Sequence, residues 1–273
     1  MRLNNYFYEK NEMRNFLVLL LLIVFGCSKV PISGRRQVSL IPEKELITMS
    51  QSQYATFLST VNVIENTDQA RLVEKVGLNI SNAVNMYMEN HGKLNRIKGF
   101  DWEFKLVNDQ TVNAWCMPGG KICVYTGILD ITQDETGLAV VMGHEVAHAI
   151  ARHGNERMSK GLLTQMGGIA LSVALSSKGP ETQQLFQEAY GMGSGISGLA
   201  FSRKNELESD KLGLVFMELA GYDASKAPDF WKRMASNGEQ PPEFLSTHPS
   251  DERRISKINE FLLSETFRKH TKY

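Results

Sequence analysis

Apolar residues along most of this 273-residue chain recur three and four apart, the spacing of one helix face. Only between residues 100 and 127 does the repeat shorten to two. Helical patterning begins after Pro42 in PEKELITMSQSQYATFL. It continues in DQARLVEKVGLNISNAVNMYMEN, where Leu72, Val76, Ile80 and Val84 form one stripe, Thr67 offers an N-cap and Gly92 a stop. The alternating stretch divides into FDWEFKLV, TVNAWCM and KICVYTG, and the turn signal PGG joins the last two, which predicts a small antiparallel sheet. Helix returns in LDITQDETGLAVVMGHEVAHAI. There Thr132, three residues ahead of Glu135, reads as a capping box, and Leu138, Val141, Met142, Val146 and Ile150 keep helical spacing. Further helices are predicted at roughly 157–177, through SRKNELESDKLGLVFMELAG, near 226–236 and from Asp251, with a Gly-rich break at GMGSGISG. The class is α+β, mainly helical, with the sheet next in sequence to the HEVAH helix.

Composition narrows the function. Thirty basic residues balance thirty acidic ones with no long run of either sign, which excludes a nucleic-acid footprint, and 42% apolar residues suffice for a sizeable core. The uncharged run FLVLLLLIVF follows Arg14; its length matches a signal-peptide core and falls short of the ~20 residues of a spanning helix. Gly26 directly precedes Cys27, and VFGCS resembles the lipobox of bacterial lipoproteins. That resemblance implies that Cys27 is lipidated and becomes the first mature residue. The expected organisation is a signal peptide over 1–26, a lipidated tether rich in Ser, Pro, Gly and Arg over 27–41, and one folded domain over 42–268.

The chemistry is concentrated in His144-Glu145-Val146-Ala147-His148. Residues four apart on a helix share a face, so both imidazoles can reach one cation, and Glu145, about 100° round, can reach a water bound to it. A third ligand at the metzincin position is ruled out, because Ala151 and Gly154 stand where Gly and His would be required. His153 lies about 900° of helix rotation past His144 and reads as a solvent or helix-terminal histidine. The remaining route is a carboxylate from a second helix, and NELESD offers Glu206, Glu208 and Asp210. Glu206 and Asp210 share a face while Glu208 points away. The shared pair divides into a ligand, Glu206, and an orienter, Asp210, that holds His144 through its other ring N–H.

HEVAH, SRKNELESD, the preceding VNAWCMPGGKICVYTGIL and the later STHPSDERRI, in this order, resemble the gluzincin metallopeptidases of the HtpX-like and CAAX-prenyl-protease-like family, in particular its periplasmic lipoprotein branch. The resemblance covers about residues 40–265. It implies a zincin-like fold and one Zn2+ per chain, held by His144, His148 and Glu206, with Glu145 as general base. It further implies that Asn113-Ala114-Trp115 lies in an edge strand receiving substrate backbone, and that His248 and Arg254 sit at the active site. Either of the last two is a candidate to stabilise the tetrahedral intermediate, and His248 is also a candidate fourth zinc position at rest. The expected activity is endoproteolysis of misfolded or unassembled outer-membrane proteins in the periplasm, from a lipid anchor in the cell envelope. The alternative is a zinc-bearing, chaperone-like binding module for such proteins.

Two further expectations concern local structure. If PGG closes its hairpin with a two-residue loop at Gly119-Gly120, Cys116 and Cys123 face one another and a disulfide can join them. The apolar stretch GLLTQMGGIALSVALSS and GMGSGISG lie between the two metal motifs, where they are placed to cover the cleft.

Overall fold

The computed structural model describes residues 27–166, 202–236 and 252–272, and singly 184, 186, 187, 189, 190 and 248. The expected signal peptide, the Gly-rich break and the stretch 167–177 lie outside the described residues. In chain order the elements are β1 (Cys27–Lys29), β2 (Arg36–Val38), α1 (Glu43–Leu58), β3 (Val63–Ile64), α2 (Asp68–Asn90), β4 (Glu103–Val107), β5 (Ala114–Met117), β6 (Lys121–Tyr125), α3 (Thr126–Thr132), α4 (Glu135–Ala151), α5 (His153–Met166), α6 (Arg203–Leu219), α7 (Ala227–Ser236), α8 (Glu252–Leu262) and α9 (Glu265–Thr271). No helix among the described residues is long and apolar enough to cross a membrane.

Helix α4 runs through the core. Every residue from Gly137 to Ala151 is buried, because α2, β5 and α6 pack around it. The α4–α6 crossing is a close one. A Cβ added at Gly213 would lie 2.9 Å from the backbone of Gly143 and His144, so the pair Gly143/Gly213 permits the approach. That approach brings HEVAH and ELESD face to face.

The caps show what spacing alone misjudges. Thr67 caps α2 as expected, accepting from Ala70 N–H at 3.1 Å. The cap of α4, however, is Asp134, whose carboxylate accepts from Gly137 N–H at 2.7 Å, while Thr132 closes α3 by donating to Leu129 O. A short helix, α3, thus ends where one start was predicted and the long α4 begins after it, with Gln133 at φ 66° turning the chain between them.

The sheet order is β3-β4-β6-β5, with β5 at one edge. The β5–β6 and β3–β4 pairs are antiparallel but β4–β6 is parallel, so the sheet is mixed rather than antiparallel throughout. The β5–β6 register pairs Met117 with Lys121 and leaves three loop residues, with Gly119 and Gly120 at φ 86° and 83°. The two-residue loop is therefore not formed. Cys116 stands opposite Ile122 and Cys123 opposite Trp115, on different faces of the sheet, and both thiols are free. Burial pushes both thiols well above their usual range.

The segment expected to be a tether is structured. Strands β1 and β2 pair as an antiparallel hairpin, Val30 and Gln37 are buried, and Gln37 Nε2 donates to Ala151 O at 2.6 Å. This hairpin therefore packs against the end of the HEVAH helix.

Candidate metal centre

His144 and His148 project from α4 and Glu206 from α6, and His248 joins them from the chain between α7 and α8. Each offers one ligand atom, and the four atoms lie within 4.8 Å of one another in a fully buried cluster. His144 Nε2 is 3.0 Å from His148 Nε2 and 3.3 Å from Glu206 Oε2, and His148 Nε2 is 3.3 Å from Glu206 Oε1. His248 Nδ1 approaches Glu206 Oε1 at 3.2 Å and His144 Nε2 at 3.3 Å. Glu145, one residue round the helix, is 3.5 Å from His248 Nε2 through Oε1.

The donor set fits a cation. Glu145 Oε1 is buried without a hydrogen-bond partner, and Glu206 Oε2 is buried with only the longer contacts to His144 Nε2 at 3.3 Å and Arg254 Nη1 at 3.4 Å; such carboxylate oxygens are costly unless a positive charge or its water satisfies them. Three imidazoles and one carboxylate suit a borderline first-row ion. The field has the required sign. Burial opposes charge on Glu206, yet His248, His148 and His144 hold it ionised, well below the usual carboxylate range. Burial and Arg254 work against charge on His144, but hydrogen bonds to Asp210 and Glu206 outweigh them and push it up to about 9. Burial holds His148 well below its ordinary value and raises the Glu145 carboxyl, which makes Glu145 a stronger base.

Behind His144, the Nδ1 atom meets Asp210 Oδ1 at 2.9 Å. Arg254 grips Asp210 with two bonds, Nε to Oδ2 at 2.7 Å and Nη2 to Oδ1 at 2.8 Å, and its guanidinium lies 3.5 Å over the Trp231 ring. Arg254 thus backs His144 through Asp210, and its Nη1 also reaches Glu206 Oε2 at 3.4 Å. Of the two expected stabilisers of the intermediate, only His248 lines the cavity beside the cluster.

That cavity, of about 30 Å³, is bounded by Asn113, Ala114, Trp115 and Cys116 of the edge-strand side, by Glu145 and His148, and by Arg157 and Tyr190. Arg157 and Tyr190 carried no signal in the sequence, because neither belongs to a motif and no period ties them to one.

Two sequence expectations are corrected behind His148. Helix α4 ends at Arg152, which adopts a left-handed conformation at φ 60°, and a new helix begins at His153. A continuous helix would carry His153 to the far face; the break returns it, buried, to 3.0 Å from His148 Nδ1. Glu208 does point away from Glu206, but into the interior, where it accepts from His153 Nε2 at 2.9 Å and from Arg35 Nε at 2.7 Å.

Residues 78–262 match Peptidase family M48. Over 165 residues the chain is 36% identical to the mitochondrial metalloendopeptidase OMA1 of Arabidopsis thaliana, covering 60% of this chain and 32% of that one. It is 28% identical over 288 residues to the Saccharomyces cerevisiae OMA1, covering 96% and 81%. It is 31% identical over 188 residues to the putative beta-barrel assembly-enhancing protease of Vibrio cholerae, covering 65% and 39%. The match spans about a third of the Arabidopsis relative and 49% of the Schizosaccharomyces pombe one. With the family match extending over most of the chain and over every residue of the cluster, the chain belongs to peptidase family M48.

Proposed function

We propose that this protein is a zinc-dependent endopeptidase of the cell envelope, held to the membrane through a lipid on Cys27 and acting on unfolded or unassembled membrane proteins. The observation that carries the reading is the buried cluster of His144, His148, Glu206 and His248 beside Glu145. Five of the contacts among these residues are 3.0–3.3 Å and all four ligand atoms lie within 4.8 Å of one another, close enough for a single ion to be shared among them. His144, His148 and Glu206 would hold the ion, with His248 beside them. Bound there, zinc supplies Lewis acidity to the scissile carbonyl and to the attacking water.

The chain's own residues perform the remaining work. Glu145 Oε1, buried and raised in basicity, takes the proton of the attacking water and delivers it to the leaving amine. His248, at the cavity wall with Nε2 3.5 Å from Glu145 Oε1, would either complete the donor set at rest or stand beside the developing oxyanion. Edge strand β5, with Asn113 just ahead of it, would offer Asn113, Ala114 and Trp115 to an extended substrate, which would add as a further strand. Extended binding requires an unfolded segment.

The relatives from Vibrio cholerae and Yersinia pestis are described as a putative and a named beta-barrel assembly-enhancing protease, which supports substrates of the outer membrane for this chain. The test is metal content and casein cleavage on one preparation. We expect about one zinc per chain and cleavage that a chelator abolishes and zinc restores. A metal-free preparation that cleaves equally well would overturn the reading.

A further inference from the structure

The support of His148 differs in kind from that of His144. Metal-bound histidines ordinarily donate their second ring N–H to a carboxylate or carbonyl, and His144 does so to Asp210. His148 meets another imidazole, with the Nδ1 atoms of His148 and His153 3.0 Å apart, so one of them must donate and the other accept. The surroundings decide which. His153 Nε2 lies 2.9 Å from Glu208, whose carboxylate also accepts from Arg35 Nε and from the Ser33 hydroxyl. Facing a carboxylate, Nε2 carries the hydrogen, and neutral His153 is left with a lone pair on Nδ1. Ser209 Oγ, 3.2 Å from the same Nδ1, is a second donor aimed at it. His148 therefore donates from Nδ1, and its Nε2 lone pair faces Glu206 and His144.

The chain of contacts begins outside the folded unit expected from sequence. Arg35 stands at the foot of β2 and makes a bidentate pair with Glu156, at 3.0 and 2.8 Å, as well as its bond to Glu208. Glu156 is itself held by Asn205 of α6 and Lys160 of α5. One guanidinium thus ties the hairpin, α5 and α6 into a single unit behind the metal centre.

We propose that the β1–β2 hairpin is a working part of the metal centre, with Arg35, Glu208 and His153 acting in series as positioning residues that fix the tautomer and ring orientation of His148. The inference rests on the reading of His148 as a metal ligand. It assigns the N-terminal segment a task beyond tethering, since removing or displacing the hairpin would disorder a ligand without touching it.

The test is the zinc affinity of the full chain, measured by competition with a chromophoric chelator, with the thermal midpoint and the visible spectrum of the cobalt-substituted protein recorded alongside. His153→Leu should weaken zinc by about 10–100-fold and alter the cobalt spectrum. Glu208→Gln and Arg35→Ala should act in the same direction, nearer the lower end of that range. His153→Gln should recover much of the loss, because its amide oxygen accepts from His148 and its amide N–H₂ donates to Glu208. Val73→Ala is the control: it opens a small cavity in the core near the start of α4, at the other end of that helix from the hairpin. It should lower the thermal midpoint and leave zinc affinity unchanged. Wild-type affinity in folded Arg35→Ala and Glu208→Gln would overturn the inference, and so would an equal loss of zinc in Val73→Ala. A wild-type chain that binds no zinc would instead sink the proposed function, and this inference with it.

Discussion

The two histidines of HEVAH stand one helical turn apart, yet they are supported by different residues and different chemistry. His144 is backed by Asp210, Arg254 and Trp231. His148 is backed by His153 and Glu208 and, beyond them, by Arg35 of the N-terminal hairpin. In the first the carboxylate touches the ligand directly, and Arg254 is only 2% exposed. In the second an imidazole intervenes, and the Arg35 side chain keeps 12% exposure. A sealed ion pair and a partly wetted one respond differently to the same insult, because water can replace a lost partner only where it can reach.

The largest expected effect follows from this difference. Asp210→Ala leaves Arg254 buried without its carboxylate, so we expect a loss of about 3–5 kcal/mol together with a large loss of zinc affinity. Glu208→Ala leaves an arginine that water can partly rehydrate and that keeps Glu156, so its stability cost should be smaller, about 1–3 kcal/mol. Urea denaturation of both variants decides the order. Equal costs would remove the distinction between the two sides.

Gly213→Ala acts on both sides at once. Its new methyl would meet the backbone of Gly143 and His144 at 2.9 Å, forcing apart the two helices that carry the ligands. The expected cost is about 1–3 kcal/mol, with weaker zinc binding; a variant of wild-type stability and affinity would show that the crossing has slack.

The smallest effect separates the sides by pH. Burial would raise the carboxyl of Glu156, but hydrogen bonds from Arg35 and Lys160 win and lower it to about 2, from an ordinary value of 4.5. A depressed carboxylate stabilises the fold above its unfolded value, and that stabilisation is lost as pH falls from about 4.5 to about 2. The hairpin should therefore loosen in that window. Hydrogen exchange of β1–β2 amides measured against α4 would detect it, and parallel loss of protection in both would contradict a local clamp.

The His144 side was legible in the sequence and the His148 side was not, for geometric reasons. Helical periodicity relates residues within one helix, so His144, His148, Glu206 and Asp210 could be assigned to faces, and the structure brings these four together. His248 and Arg254 came only through resemblance to a family, since no period connects them to HEVAH. Periodicity failed at Arg152, where one left-handed residue ends a helix that spacing alone continues, and His153 went with it. Glu208 was assigned the correct direction but the wrong surroundings. Two residues from Glu206 it must face elsewhere, and that face meets the hairpin rather than solvent. The hairpin escaped notice because Gly, Ser, Pro and Arg are what a linker contains. The sheet was found, but its mixed pairing and three-residue loop depend on long-range register, which a local turn signal does not carry.

The central claim is that this cluster holds zinc and that Glu145 is the base beside it. Glu145→Gln tests it most directly, because the change removes the proton acceptor and no metal ligand. With zinc content and casein cleavage measured on the same sample, the account predicts about one zinc per chain in both proteins and at least a ~10²-fold loss of cleavage in the variant. A zinc-loaded variant that cleaves at the wild-type rate would contradict it.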